Sequence, residues 1–253
     1  MTNEEFKSQF DIFWNNITSN QAPGLDTFEI SVLLTKAQAV VVKNYFTPKA
    51  NILGEGIGES PKRQVDFSSI IKNAILDTVE VSSKFDNRSQ TFVYPADAFL
   101  IINEQVSYED TGITKYYTVQ PIAYPVYDKL MERPYKRPHT NTVWKLITGA
   151  VPNEEEVEGV TVTHNNSLPV VEVIGPKELD NKELVYKIRY VRQLKPILLE
   201  DFDESIDGET QESPCELPEE LHDEILFKAV EMAKLAWMGA DTQTQPQQQR
   251  SRE

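Results

Sequence analysis

The stretch Asp26 to Phe46 (DTFEISVLLTKAQAVVVKNYF) constrains this chain most, because it is the longest uninterrupted helical pattern near its start. Asp26 stands where an N-cap belongs, and Glu29 follows three residues later as in a capping box. Ile30, Leu33, Leu34, Ala37, Val41 and Tyr45 recur at helical spacing. Val32, Val40 and Val42 fall off that stripe, so the helix is apolar on more than one side. Two arrangements satisfy this pattern: a central helix covered by its own domain, or one that packs on its own core and on a neighbouring subunit. The β-branched run Val40 to Val42 leaves a strand as the local alternative.

At 253 residues the chain is long enough for one large domain or two modest ones, with a sizeable core. No apolar run reaches the roughly 18 residues that span a bilayer. The opening MTNEEFKSQFDIFW lacks the basic start and apolar core of a signal peptide, so the protein is expected to stay where it is made. On that expectation the sequons at Asn16, Asn87 and Asn165 carry no weight. The single cysteine, Cys215, excludes an internal disulfide and a cysteine-rich metal site. With 25 basic and 40 acidic residues the formal charge is −15, which argues against a protein that grips nucleic-acid phosphates. It leaves open either a solvated acidic surface or an acidic conduit from which DNA is repelled.

In chain order, Asn3 to Ile17 reads as a short amphipathic helix with Phe6, Phe10, Phe13, Trp14 and Ile17 on one face. Pro23 and Gly24 break it before the main helix. Thr47 to Arg63, with three glycines in GEGIGES, reads as a loop. It is a poor phosphate loop, since it has no Gly-Lys-Ser/Thr ending and no preceding strand, and Glu55 and Glu59 would repel the ligand. Val65 to Ala74 predicts one more short helix.

From Ile75 to about Leu199 the period changes to short alternating or β-branched runs. The candidate strands are Ile75 to Ser83, Gln90 to Val93, Leu100 to Tyr108, Tyr116 to Ile122, Thr142 to Thr148, Gly159 to Val162, Val170 to Ile174 and Leu184 to Leu194. Turn residues between them favour antiparallel pairing, with Tyr124 to Met131 as one short helix. Leu217 and Pro218 open a last helix whose buried face is Leu221, Ile225, Ala229, Met232, Ala233 and Ala236, ending at Gly239. The glutamine-rich tail after it has too little apolar surface to order alone, and Gln247, Arg250 and Arg252 are its candidates for binding a partner.

Two charged tracts stand out. Lys129 to Lys145 sets Arg133, Lys136 and Arg137 around Tyr135 and Trp144, which suits either a nucleic-acid backbone or an acidic surface of another subunit. Glu200 to Glu220, with Glu200, Asp201 and Asp203 at its head, contains no basic residue and reads as a self-repelling loop. No catalytic constellation emerges. His139, His164 and His222 lie far apart without a second ligand at metal spacing, and no nucleophile elbow or Cys/His pair is present. No cofactor is expected.

Several blocks, in order, resemble the head-to-tail connector (ring or adaptor) proteins of tailed bacteriophages, most closely those of crAss-like phages. They are LLTKAQ (Leu33 to Gln38), RQVDFSSII (Arg63 to Ile71) with Tyr94-Pro95-Ala96-Asp97, and ERPYKRPHTNTVWKL (Glu132 to Leu146). YKIRYVRQLKPILL (Tyr186 to Leu199) and CELPEELHDEILFKAVEMA (Cys215 to Ala233) close the series. In the third block Arg133 stands where the group has asparagine, and Tyr135 where it has phenylalanine. The acidic insertion Asp201 to Ser213 is longer than the resemblance leads one to expect.

The resemblance implies a virion structural protein with no active site, forming dodecameric homo-oligomeric rings beneath the portal. DNA would pass through the middle without sequence-specific binding, and no membrane is involved. The implied fold is α+β: N- and C-terminal helices forming a helical bundle with an inserted antiparallel β-rich region. The expected division is 1–74 with 215–240 as helical body, 75–200 as inserted domain, 201–214 as acidic loop and 241–253 as tail. The expected subunit-interface residues are Arg133, Lys136, Arg137, Tyr135, Trp144, Glu200, Asp201 and Asp203. A monomeric module binding a glycan or protein ligand through the β region is the alternative function.

Overall fold

The computed structural model describes residues 1–17, 24–46, 67–80, 84, 86, 88–110, 112–139, 141–157, 160–180 and 182–244. The chain divides into two compact units, one of residues 1–70 and 194–253, the other of residues 71–193.

In the first unit, α1 (Asn3–Ile17) buries Phe6, Phe10 and Trp14, spaced four apart on one face. A reciprocal capping box starts it, Thr2 N donating to Glu5 Oε2 at 2.9 Å and Glu5 N to Thr2 Oγ1 at 3.3 Å. Helix α2 (Thr27–Phe46) begins as predicted, with Asp26 N donating to Glu29 Oε2 at 3.1 Å. It buries Ile30, Ser31, Leu34, Ala37, Gln38, Val41 and Val42, a broad stripe of helical period. The last helix (α4, His222–Thr244) packs on α2, and α1 lies against it through Phe13 and Phe227, whose ring centroids are 5.0 Å apart.

The other side of α2 is covered by extended chain. Ser31, Thr35 and Gln38, at i, i+4 and i+7, face the backbone of residues 195–199. Leu199 N donates to Ser31 Oγ at 3.2 Å, Ile197 N to Thr35 Oγ1 at 3.1 Å, and Gln38 Nε2 to Lys195 O at 3.0 Å. These bonds satisfy backbone groups that would otherwise be buried without partners, while Ile197, Leu198 and Leu199 are buried alongside.

The second unit is a sheet of seven strands in the order β1-β7-β3-β4-β5-β6-β2, curled into a half-barrel. The strands are β1 (Ile71–Ile75), β2 (Gln90–Val93), β3 (Ala98–Asp110), β4 (Ile113–Pro121), β5 (Thr142–Val157), β6 (Val160–Ile174) and β7 (Val185–Arg192). After pairing with β7, the chain leaving β1 turns onto the opposite edge. Val79 N donates to Thr91 O at 3.0 Å, and Val93 N to Asp77 O at 3.1 Å. One run of chain thus draws the two edges together. Inside the curl lie Phe92, Val106, Tyr108, Tyr117, Val143, Val171, Tyr186 and Ile188. Against the outer side of β5 and β6, α3 (Tyr124–Met131) packs Tyr127 on Trp144, Leu146 and Ile174.

These findings correct the expected fold class. The described residues are dominated by the curled sheet, and few of their elements are helices, so the fold is not a helical bundle carrying an inserted sheet. The sheet is also mixed rather than antiparallel: β4 and β5 run parallel, with Thr118 opposite Thr142 and Pro121 opposite Lys145. The segment carrying α3 supplies the long crossover that parallel neighbours require.

Local expectations shift too. The predicted helix Val65 to Ala74 is replaced, over its described residues, by a turn at 67–70 and strand β1, because its ladder with β7 outweighs local preference. Helix α4 runs past Gly239 to Thr244. Strand β5 reaches far beyond its predicted end, and the predicted strands Gly159 to Val162 and Val170 to Ile174 are one strand, β6. Among the described residues, 150–168 of the two pair only with each other. The Gly54 to Ser60 loop lies outside the described residues.

Candidate assembly surfaces

Helix α3 ends at Met131, and Pro134 and Pro138 restrict the backbone that follows. Residues Pro134–Lys136 form a single 3₁₀ turn. Its geometry is held by backbone and guanidinium bonds. Arg133 N donates to Leu130 O at 3.2 Å, Lys136 N to Arg133 O at 2.9 Å, and Arg137 Nε to Met131 O at 2.7 Å. The result is a knuckle with Arg133, Lys136 and Arg137 exposed and Tyr135 95% exposed. Arg133, Lys136 and Arg137 have no carboxylate partner among the described residues. Trp144 sits apart from these four, 2% exposed in the core under α3, with its ring edge-on to Tyr127 at 6.2 Å.

A buried polar lattice anchors α3. Glu172, wholly buried, accepts from Asp86 N at 2.7 Å and from Ser89 Oγ. Asp86 in turn accepts from Tyr127 Oη at 3.1 Å and Arg88 at 3.3 Å. Burial alone would raise the Asp86 carboxyl, but the Arg88 N–H and guanidinium and the Tyr127 hydroxyl outweigh it and hold the pKa below the usual range. Burial first, then the Asp86 charge, pushes Tyr127 up to about 12. Both shifts describe a fixed, ionised Asp86 and a neutral phenol, which suit a support better than a proton-transfer pair.

The inside of the curl holds a second polar group. Lys145 Nζ lies 2.8 and 2.6 Å from the Glu104 carboxylate oxygens, and Tyr94 and Tyr186 donate to Glu104 Oε1 at 2.6 and 2.8 Å. Burial above all drives both phenols well beyond the ordinary tyrosine range. The cation, the carboxylate and the two phenols are directed at one another, so the arrangement is a core ion pair. Neither network was foreseen from sequence. Glu172 within the apolar run Val170 to Ile174 was the available signal, since a carboxylate on the covered face of a strand needs donors.

In the first unit the acidic segment is held by backbone bonds. Leu198 and Ser213 exchange backbone bonds at 3.0 and 3.1 Å, Phe202 N donates to Thr210 O at 2.9 Å, and Ile206 pairs with Glu209. Asp207 and Gly208 turn the chain with φ of 50° and 90°. Asp-Gly is among the strongest short-range hairpin signals, and it was legible in the sequence. Phe202 packs edge-on against Phe28 of α2 at 5.3 Å, and Ile206 is buried. The apolar side is thereby pinned, leaving Glu200, Asp201, Asp203 and Glu204 exposed. Asp201 Oδ1 also accepts from Glu212 N at 2.7 Å. Gln247, Arg250 and Arg252 lie outside the described residues.

Among the described residues no group of three or more His, Cys, Asp or Glu is arranged to hold a metal ion. None of their helices is long and apolar enough to cross a membrane. His222 is a packing residue: Nε2 donates to Leu217 O at 2.9 Å, Nδ1 lies 2.8 Å from the Met1 amine, and the Phe6 ring is 5.2 Å away.

Comparison with known proteins identifies a family. The one described as phage tail ring protein 3/4 matches residues 1–245. Ring protein 4/5 of Bacteroides phage crAss001 is 41% identical over 247 residues, covering 94% of this chain and 94% of the relative. Ring protein 3 of the same phage is 25% identical over 247 residues, covering 92% of this chain and 95% of the relative. The blocks LLTKAQ, RQVDFSSII, ERPYKRPHTNTVWKL and those that follow therefore pointed to the right group.

Proposed function

Because this chain belongs to the phage tail ring protein 3/4 family, we propose that it is a virion structural subunit of the head-to-tail connector. In this reading identical copies close into a dodecameric ring below the portal, join it to the tail, and surround the channel through which DNA passes. The subunit has no chemistry of its own, assembles in the host cytoplasm and resides in the virion neck.

The observation that carries the reading is the family match over nearly the whole chain, joined to the distribution of charge. A protein of net charge −15 exposes Arg133, Lys136 and Arg137 on one rigid knuckle and a pinned acidic hairpin at 200–212 elsewhere. Two unlike surfaces on one subunit are what a heterologous contact needs, and such contacts generate a ring when the rotation closes. The acidic balance also keeps passing DNA from adhering.

The test is charge reversal. Arg133→Glu and Lys136→Glu together leave the fold intact, because these side chains are exposed and the Arg137 bond to Met131 O that holds the knuckle is kept, and they remove ring assembly on portal complexes in negative-stain images. Unchanged assembly and unchanged virion stability would count against the reading. A chain that stays monomeric and fails to associate with portal complexes would favour a ligand-binding module instead.

A further inference from the structure

The first unit carries an apolar groove of about 490 Å³ that its described residues leave open. Trp14 of α1, Phe28, Val32 and Leu33 of α2, and Ala236 and Trp237 of α4 line it, with the Glu29 carboxylate among them. Val32 and Leu33 are two of the apolar positions on α2 outside its buried stripe, and they line the groove. Phe28 ties it to the acidic hairpin, since its ring meets Phe202 edge-on, between the exposed carboxylates Asp201 and Asp203. On α1, Lys7 is occupied by a bond to Thr27 Oγ1 at 2.8 Å. The groove is thus an apolar slot with a carboxylate in its lining and an acidic border.

The second unit offers the complementary shape. Tyr135 is the most exposed large apolar side chain among the described residues, at 95%, and Arg133, Lys136 and Arg137 flank it on a proline-bracketed turn. A lone exposed aliphatic residue needs no explanation, but an exposed aromatic ring on an ordered turn, among cations with no carboxylate partner among the described residues, has the composition of an interface anchor. The backbone of the turn is already ordered, so docking costs side-chain rotamer freedom but little loop entropy.

We propose that Tyr135 of one copy inserts into the groove between α1, α2 and α4 of a second copy. The flanking cations of the knuckle then meet Glu29 and the acidic hairpin at 200–204. This inference rests on the ring reading and names the contact that propagates it. Apolar burial in the slot holds the subunits together, and the charges around it set orientation and rate of encounter.

The experiment uses the full chain. Tyr135→Ala removes no packing within the subunit, so its fold is retained and its self-association, read by sedimentation or mass photometry, weakens roughly 30-fold or more. Tyr135→Phe, which keeps the ring, stays near the parent. Leu33→Glu, on the groove side, reproduces the loss while circular dichroism and the urea midpoint report whether the fold is kept. A photo-crosslinker at position 135, in a mixture of isotopically light and heavy chains, labels residues 25–33 or 233–237 of another copy.

Rings that form normally in Tyr135→Ala, or crosslinks that go only to other surfaces, to the same copy or to a different protein, overturn this docking and leave the ring reading standing. A chain that neither self-associates nor joins rings on portal complexes removes both.

Discussion

Replacing Lys145 by methionine removes the cation from the interior of the curled sheet while nearly preserving side-chain volume. In the parent protein Lys145 and Glu104 are 12% and 14% exposed and lie 2.6 Å apart. At an effective dielectric of about 20 that separation is worth about 6 kcal/mol of gross attraction. The cost of withdrawing both ions from water offsets a large part of it. Removing the lysine returns only its own share of that cost, and Glu104 stays buried with its charge. Tyr94 and Tyr186 continue to donate to it at 2.6 and 2.8 Å, which softens the loss. The expected net destabilisation is about 3 kcal/mol, the low end for breaking a buried pair. Pairing Lys145→Met with Glu104→Gln removes both charges and keeps an acceptor for the two phenols, so the double variant should lose only about 1 to 2 kcal/mol.

Urea unfolding reads both numbers, followed by fluorescence and by circular dichroism because the chain has two units. Trp144 reports on the second unit, and Trp14 and Trp237 on the first. A single variant that costs under about 1 kcal/mol, or a double variant worse than the sum of its singles, would refute the reasoning from an uncompensated buried carboxylate.

Four further outcomes are expected. Gly208→Val meets no steric neighbour but forces a β-branched residue to φ +90°, so it should destabilise the acidic hairpin by about 1 to 2 kcal/mol. Faster hydrogen exchange at the Phe202 and Ile206 amides checks this, and unchanged protection would dismiss it. Burial foremost holds the His222 pKa below its ordinary 6.5, so the unfolded chain takes up the proton first. Stability should therefore be full above about pH 7 and fall as pH drops below about 6.5 toward the folded-state pKa, a slope reduced in His222→Gln over that range. Asp86 and Asp97, both held below 3.8, are expected to add a separate loss only as pH falls through 3.8 and below. If exposed charge guides assembly, the rate of ring formation should fall with rising salt, and a salt-independent rate would contradict that role.

The sequence by itself determined the local elements whose causes are local. Asp26 and Glu29 announced the start of α2, the four-residue spacing of Phe6, Phe10 and Trp14 announced the buried side of α1, and Tyr124–Met131 is helical within the limits read from its pattern. The ordered blocks also sufficed to recognise the family, since motif order survives without knowledge of contacts. Only the tertiary structure decided that β4 and β5 run parallel, that Val65 to Ala74 yields a strand, and that α2 is covered by extended chain through Ser31, Thr35 and Gln38. Each depends on partners far away in the sequence, for which neither periodicity nor propensity carries a term. The same holds for the surfaces. Glutamates and aspartates read along a chain suggest repulsion, but Phe202 against Phe28 and the turn at Asp207-Gly208 fold them into a hairpin. Trp144, next to the knuckle's segment in sequence, went into the core because the alternation of β5 turns it beneath α3.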